Sequence, residues 1–238
     1  CSPWAVAIDS ANGLWVADTN NNRVVQFVGP TSSDVVADRV LGQTDSFATA
    51  VCDVMPSQLC GPRGVAVTAA GDVLVADTTN NRIVVFDAAT SSDTVADHWL
   101  AAGASGLEGA SAVALDRSAS PNHVWVADTV NHRVLGWRDA DAWANAEPAD
   151  LVLGQPNLNS RYCNAGGRGP SSLCSPAGVA VDDSGNVYVA DSGNHRVLEY
   201  DAPYAAADTT ADRVLGQADS FTSGGCNTGG IGAGSLCN

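Results

Sequence analysis

The chain has 238 residues, 45% of them apolar, enough for one large domain or a short repeat array with a sizeable core. Its 26 acidic and 11 basic residues give a net charge of −15, which repels nucleic-acid phosphates and anionic lipid headgroups. Lysine is absent, which removes Schiff-base chemistry, and no run of eighteen apolar residues exists to form a membrane-spanning helix.

In chain order, the first elements are an alternating run WAVAID at 4–9, a tight turn at Asn12-Gly13, then LWVAD, RVVQF and DRVLGQ, ending at residue 43. The same four runs return as RGVAVT at 63–68, VLVAD, RIVVF and DHWLAA at 97–102. They return again as SAVALD at 111–116, VWVAD, RVLGW and DLVLGQ at 150–155. The fourth set is AGVAVD at 177–182, VYVAD, RVLEY and DRVLGQ at 212–217. Four short β-branched strands with turn signals between them make an antiparallel meander, and no stretch keeps a 3.6-residue period long enough for a helix. Both faces of each meander are apolar: Trp15, Leu74, Trp125 and Tyr188 point one way, and their Leu and Val neighbours the other. Such a sheet needs a neighbour on each side, so the large-residue face of one unit is expected to meet the Val face of the next.

The units RGVAVTAAGDVLVADTTNNRIVVFD and GVAVDDSGNVYVADSGNHRVLEYD resemble NHL repeats, of the bacterial extracytoplasmic type with paired-Cys loops. The resemblance covers essentially the whole chain and implies an all-β fold. That fold is a β-propeller of four NHL-like, four-stranded antiparallel blades in a single domain over 1–238. The blades run approximately over 1–60, 61–105, 106–174 and 175–238. NHL propellers usually close with about six blades, so four imply either a four-bladed ring or a segment of a larger propeller. The junctions Cys1-Ser2-Pro3, Cys60-Gly61-Pro62 and Cys174-Ser175-Pro176 share one phase, and SLCN at 235–238 matches SLCS at 172–175. The expectation is a segment of whole blades, and repeat phase accounts for Cys1 better than lipid modification does.

Between the second and third strands lies the most repeated stretch, VADTNNNRVV at 16–25 and its three copies. Its Asp and Arg recur as Asp18 and Arg23, Asp77 and Arg82, Asp128 and Arg133, and Asp191 and Arg196. The Asp is expected to accept the turn's own N–H groups, and Asn to supply the left-handed residue. The Arg is expected to reach an Asp of its own or an adjacent blade. A group needed in every blade for one geometry is architectural; the rival reading is a ligand-facing ring of charges. His132 and His195 fall in this turn where other copies have Asn, which suggests solvated turn residues.

Six cysteines pair along the chain: Cys52 with Cys60, Cys163 with Cys174, and Cys226 with Cys237, each in the connection from a fourth strand to the next first strand. Disulfides there remove loop entropy, roughly 2–3 kcal/mol each. Metal ligation is the rival, but Cys-x-x-Cys spacing and loop histidines are both missing. Disulfides imply an extracytoplasmic or secreted location.

No catalytic motif is present, so no catalytic residue, metal ligand or cofactor is assigned. Calcium in the Asp turns at 9–13 and 182–186, and zinc, are the alternative readings. Function in a repeat protein belongs where units differ. The residue opening each first strand, at one mouth of the expected channel, reads Trp4, Arg63, Ser111 and Ala177, with Glu108 in the odd third lead-in. Trp4, Arg63, Glu108 and Ser111 are therefore the candidate ligand-binding residues, for a small polar molecule or a peptide. The sequence favours a non-catalytic extracytoplasmic binding or scaffold module acting through its loop face. Its partner would be a protein, peptide or small molecule rather than nucleic acid or membrane, with self-association of partial rings through open blade faces. The alternative implied by enzyme relatives of the family is a metal-dependent lyase or lactonase-like hydrolase at the channel, using residues such as Glu108 or His123.

Overall fold

The computed structural model describes residues 2–30, 35–43, 47–55, 57–89, 95–100, 106–139, 148–227 and 232–237; Cys1 and the readings attached to it lie outside these. Every expected strand forms. Blade 1 is β1 (Pro3–Ile8), β2 (Leu14–Asp18), β3 (Arg23–Phe27) and β4 (Arg39–Leu41). Blade 2 is β5 (Gly64–Val67), β6 (Val73–Asp77), β7 (Arg82–Phe86) and β8 (His98–Leu100). Blade 3 is β9 (Ala110–Asp116), β10 (His123–Asp128), β11 (Arg133–Trp137) and β12 (Leu151–Leu153). Blade 4 is β13 (Pro176–Val181), β14 (Val187–Asp191), β15 (Arg196–Tyr200) and β16 (Arg213–Leu215). In each, the strands pair antiparallel in chain order. Among the described residues one α-helical element departs from the expected all-strand chain: α1 (Pro203–Ala206), a single turn between β15 and β16. Four residues are too few for a helical period to register; Pro203 starts the turn, and Pro203 and Tyr204 are buried in it.

Two compact units divide the chain, blade 1 with blade 2 and blade 3 with blade 4. In the first, Trp15, Ala17, Val24 and Leu41 of blade 1 pack against Val65, Val67, Val73, Val75, Val84 and Phe86 of blade 2. In the second, Trp125, Val134 and Leu153 of blade 3 pack against Val187, Val189, Leu198 and Tyr200 of blade 4. The expected pairing of large-residue face with Val face holds in both. Each fully buried Val or Leu here contributes roughly 1.5–3 kcal/mol, so these faces hold the units together. Blade 1 leaves its own Val face open: Val6 and Ile8 are 64% and 62% exposed, where the equivalent Val65 and Val67 of blade 2 are 6% and 1%.

The three disulfides Cys52–Cys60, Cys163–Cys174 and Cys226–Cys237 are present. A second device, the Leu-Gly-Gln ending three of the four fourth-strand runs, comes with them. Gly42, Gly154 and Gly216 have positive φ, and a Cβ on them would lie 2.3–2.4 Å from Leu59, Leu173 and Leu236, the residues before the second cysteines. The following Gln side chains hold the residue before the first cysteine: Gln43 on both sides of Val51, Gln155 on both sides of Tyr162, and Gln217 on the Gly225 carbonyl. Blade 2, whose run ends Leu-Ala-Ala, has no cysteine pair after it.

Candidate functional site

In each blade the recurring Asp closes the second strand directly opposite the Arg that opens the third. The peptide between them makes a tight turn ending in a left-handed residue with φ of 53–55°: Asn22, Asn81, His132 and His195. This corrects two expectations. The left-handed residue is one place later than the invariant Asn, and the Asp carboxylate does not cap the turn that follows it. The carboxylate is drawn sideways by stronger donors. Arg Nε donates to Asp Oδ2 at 2.6–2.8 Å in all four blades. Asn21, Asn80, Asn131 and Asn194 donate their amides to the same carboxylates at 2.7–2.9 Å.

The other oxygen, Oδ1, accepts the N–H of the junction residue: Cys60 for Asp77, Glu108 for Asp128 and Cys174 for Asp191. Each Arg then spends its remaining donors on loop carbonyls. Arg82 takes those of Val54, Met55 and Gln58; Arg133 those of Gly106 and Leu158; Arg196 those of Gly169, Ser172 and Phe221. Burial pushes the carboxyls of Asp77 and Asp128 above the ordinary value, and the junction N–H, the Asn amide and the Arg pull them back only in part. With its carboxylates and guanidinium groups bonded to the turn, the junction and the loops, this cluster binds its own loops; the buried Asn131 Oδ1 alone among the named atoms has no partner.

Neighbouring blades are stitched at the same turn. Within the first unit, Asn22 Oδ1 accepts the Gly61 N–H at 2.9 Å and Thr19 donates to the Pro62 carbonyl at 2.6 Å. Within the second, His132 Nδ1 accepts the Ser175 N–H at 2.9 Å and Thr129 donates to the Pro176 carbonyl at 2.8 Å. His132 is thus a partly buried acceptor between blades rather than a solvated turn residue, and His195, its counterpart in blade 4, is likewise half-buried.

Of the four sequence-predicted ligand residues, two meet. The Arg63 guanidinium lies 4.6 Å from the centre of the Trp4 ring, which is 60% exposed. No carboxylate lies within ion-pair distance of Arg63 among the described residues. The other two sit in the second unit. The Ser111 hydroxyl is only 6% exposed and bridges Thr129 and the Ala177 carbonyl, so it serves blade packing; the Glu108 side chain is exposed while its N–H anchors Asp128.

At the opposite ends of the blades, Asp9 and Asp182 make the Asx turns: Asp9 accepts the N–H groups of Ala11 and Gly13, and Asp182 those of Ser184 and Asn186. Burial works to raise both carboxyls, but these bonds, with those from Trp15, Gln26, Asn186 and Tyr188 side chains, hold them below the ordinary value. Among the described residues no three His, Cys, Asp or Glu side chains converge on one point. His123 pairs with Asp116 at 2.9 Å, a pairing that went unread in the sequence. The available signal was a longer hairpin: seven residues separate these two, against four between Asp9 and Gly13 and between Asp182 and Asn186.

A family model described as NHL repeat matches residues 1–27, 59–86 and 173–200, the openings of blades 1, 2 and 4; blade 3 is the unmatched one. No curated protein matches the chain. Among solved structures, the chain is similar to one in a nidogen/laminin complex, with 16% identity and a TM-score of 0.56 over 90% of this chain and 63% of that one. It is similar to hydrazine synthase of Kuenenia stuttgartiensis, with 12% identity and a TM-score of 0.57 over 92% and 50%. It is also similar to a catalytically inactive virginiamycin B lyase from Staphylococcus aureus with quinupristin, with 14% identity and a TM-score of 0.51 over 83% and 51%. The chain therefore spans between half and two thirds of these neighbours' lengths, and at such identities the likeness is one of fold.

Proposed function

We propose that this chain, built of NHL repeats, is an extracytoplasmic, non-catalytic binding module that engages a protein or peptide through the loop face carrying the Asp-Arg turns. The observation that supports this reading is the Trp4–Arg63 pair. A largely exposed Trp is costly to leave in water, and an Arg without a carboxylate partner keeps its donors available. Trp and Arg are also the residues that most often dominate protein interfaces. Three disulfides support an oxidising compartment. The nidogen/laminin neighbour lends the fold precedent for a protein-bound propeller, at the level of analogy.

Peptide and glycan arrays probed with the purified chain test the proposal. Binding lost in both Trp4→Ala and Arg63→Ala, with the fold intact by circular dichroism, supports it; binding unchanged in both variants sinks it. Self-association belongs to the same reading. The open Val6/Ile8 face of one copy would take the Tyr188-bearing face of another, on which Leu215 is 48% exposed, repeating the packing seen inside each unit. A concentration-independent monomer mass would remove this part.

A further inference from the structure

Away from the loop face, at the opposite end of the blades, the two units are filled differently. Across blade 1 runs a polar row of directly paired residues: Asp9 Oδ2 accepts Trp15 Nε1–H at 2.9 Å and Gln26 Nε2–H at 2.7 Å, and Arg39 donates to Gln26. Blade 4 keeps the row as Asp182, Tyr188, Glu199 and Arg213. In blade 3 the equivalents are Asp116, Trp125, Gly136 and Leu151, and the row is broken.

The break admits a side chain from α1. A Cβ on Gly136 would lie 2.7 Å from the Tyr204 hydroxyl and 2.8 Å from the Trp125 ring. Tyr204 lies against blade 3 with its ring 4.3 Å from that of His123 and 5.0 Å from that of Trp125. The Arg138 guanidinium stands 4.7 Å from the centre of the Tyr204 ring. The phenol oxygen bonds to nothing among the described residues. What this socket holds is therefore a ring, by aromatic and cation–π contact, and the hydroxyl adds nothing to the grip.

Blades 1 and 2 build the same walls without the ring. Gly71 N–H bonds the Thr68 carbonyl as Gly185 N–H bonds that of Asp182. Ala88 N–H meets the Asp72 side chain as Ala202 N–H meets that of Asn186. Two residues after Ala202 comes Tyr204; two after Ala88 comes Thr90, outside the described residues, and the connection AATSSDT at 88–94 contains no aromatic residue. The cavity here is about 270 Å³, against about 190 Å³ beside Tyr204. Gln26, standing where blade 3 has Gly136, closes its deep end, with Trp15 beside it. The mouth is reachable: Ala11, Val28, Ala69 and Ala70 are all exposed, and the half-buried Arg39 offers a cation there. Asp9 also lines the cavity, its oxygens already taken by Ala11, Gly13, Trp15 and Gln26, so the mouth suits a neutral ring and not an anion.

We infer that the cavity between blades 1 and 2 takes an uncharged aromatic side chain, Phe or Tyr, from a partner polypeptide, as the cavity between blades 3 and 4 takes Tyr204 from its own chain. The ring rests on the exposed Val and Ala side chains of the mouth and under Arg39, and needs no hydrogen bond from the buried floor. This site is at the other end of the blades from Trp4 and Arg63, so it stands or falls apart from the loop-face reading.

The test is a titration of the isotope-labelled chain with the peptide acetyl-Gly-Phe-Gly-amide, and with acetyl-Gly-Leu-Gly-amide as its aliphatic counterpart, followed on Ala and Val methyl resonances; Ala70→Ser identifies the Ala70 signal. The expected result is a saturable ring-current shift of the Ala69, Ala70 and Val28 methyls with the Phe peptide, little with the Leu peptide, and none at Val54 of the loop end. Ala70→Leu, at an exposed position, should fill the mouth and abolish the shifts at Ala69 and Val28, and Arg39→Gln should weaken the affinity about threefold. Unchanged urea midpoints show that both variants keep the fold. Methyls that stay put to tens of millimolar Phe peptide, an equal response to the Leu peptide, or undiminished affinity in either variant would each overturn the assignment.

Discussion

The two ends of each blade obey different rules. At the loop end, Asp, Asn and Arg repeat in all four blades with the same bonds, because one geometry has to be built four times. At the hairpin end, the row that begins with Asp9 in blade 1 is rewritten in blade 3, where Gly136 and Leu151 replace Gln26 and Arg39. Repetition marks what the architecture demands, and divergence marks where it does not constrain the chemistry.

Breaking the repeated end should have the largest effect. Arg133 and Asp128 are wholly buried, so Arg133→Leu strands a carboxylate and should cost about 3–5 kcal/mol in chemical denaturation. Arg23→Leu makes the same change where both partners keep some water, and should cost about 1 kcal/mol. Equal losses at the two sites would mean that the bonds to loop carbonyls, rather than the charge pair, carry the stability. Next in size is the loop itself. Replacing Cys163 and Cys174 by Ser reopens an 11-residue connection and should lower stability by about 2–3 kcal/mol. A much smaller loss would show that Gln155 and the Gly154–Leu173 contact hold that loop without the covalent link.

The divergent row is sharpened by a matched pair. Trp15→Phe deletes a made hydrogen bond and strips Asp9 of a donor, whereas Trp125→Phe deletes a donor that has no acceptor. The first should therefore cost about 1 kcal/mol more than the second, measured side by side in urea. A larger loss at Trp125 would place an acceptor on its indole in the free protein.

Much of this was legible in advance. Alternating Val-rich runs with Asn and Gly between them fix strands and hairpins locally, and the Cys pairs carry their loops with them. The role of the repeated Asp was misread because its donors, the junction N–H of Cys60, Glu108 or Cys174, lie 17–20 residues away in sequence. The Leu-Gly-Gln device was visible as a co-occurrence with cysteine but needed the fold to show what the Gln touches. Blade 3 was readable as odd, and a Gly inside a strand signals a close approach. What approaches is Tyr204, from a different blade, and no local pattern names it.

The smallest effect is a difference in pH response. Hydrogen bonds from Gly13, Trp15, Ala11 and Gln26 outweigh burial and depress the Asp9 carboxyl. A depressed folded value contributes stability that is present above the unfolded value of about 4 and is lost as pH falls through the folded one. Asp9→Asn should therefore be less stable than the parent near pH 6, roughly two units above that value, and the gap should close on the way to about pH 3. Urea midpoints across that range measure it. In a Trp15→Phe background, with one of the depressing donors gone, the gap should be smaller and should finish closing at higher pH. A gap constant with pH in both backgrounds would mean that Asp9 acts through the shape of its hairpin and not through its charge, and the blade 1 row would then be no electrostatic counterpart to the broken row of blade 3.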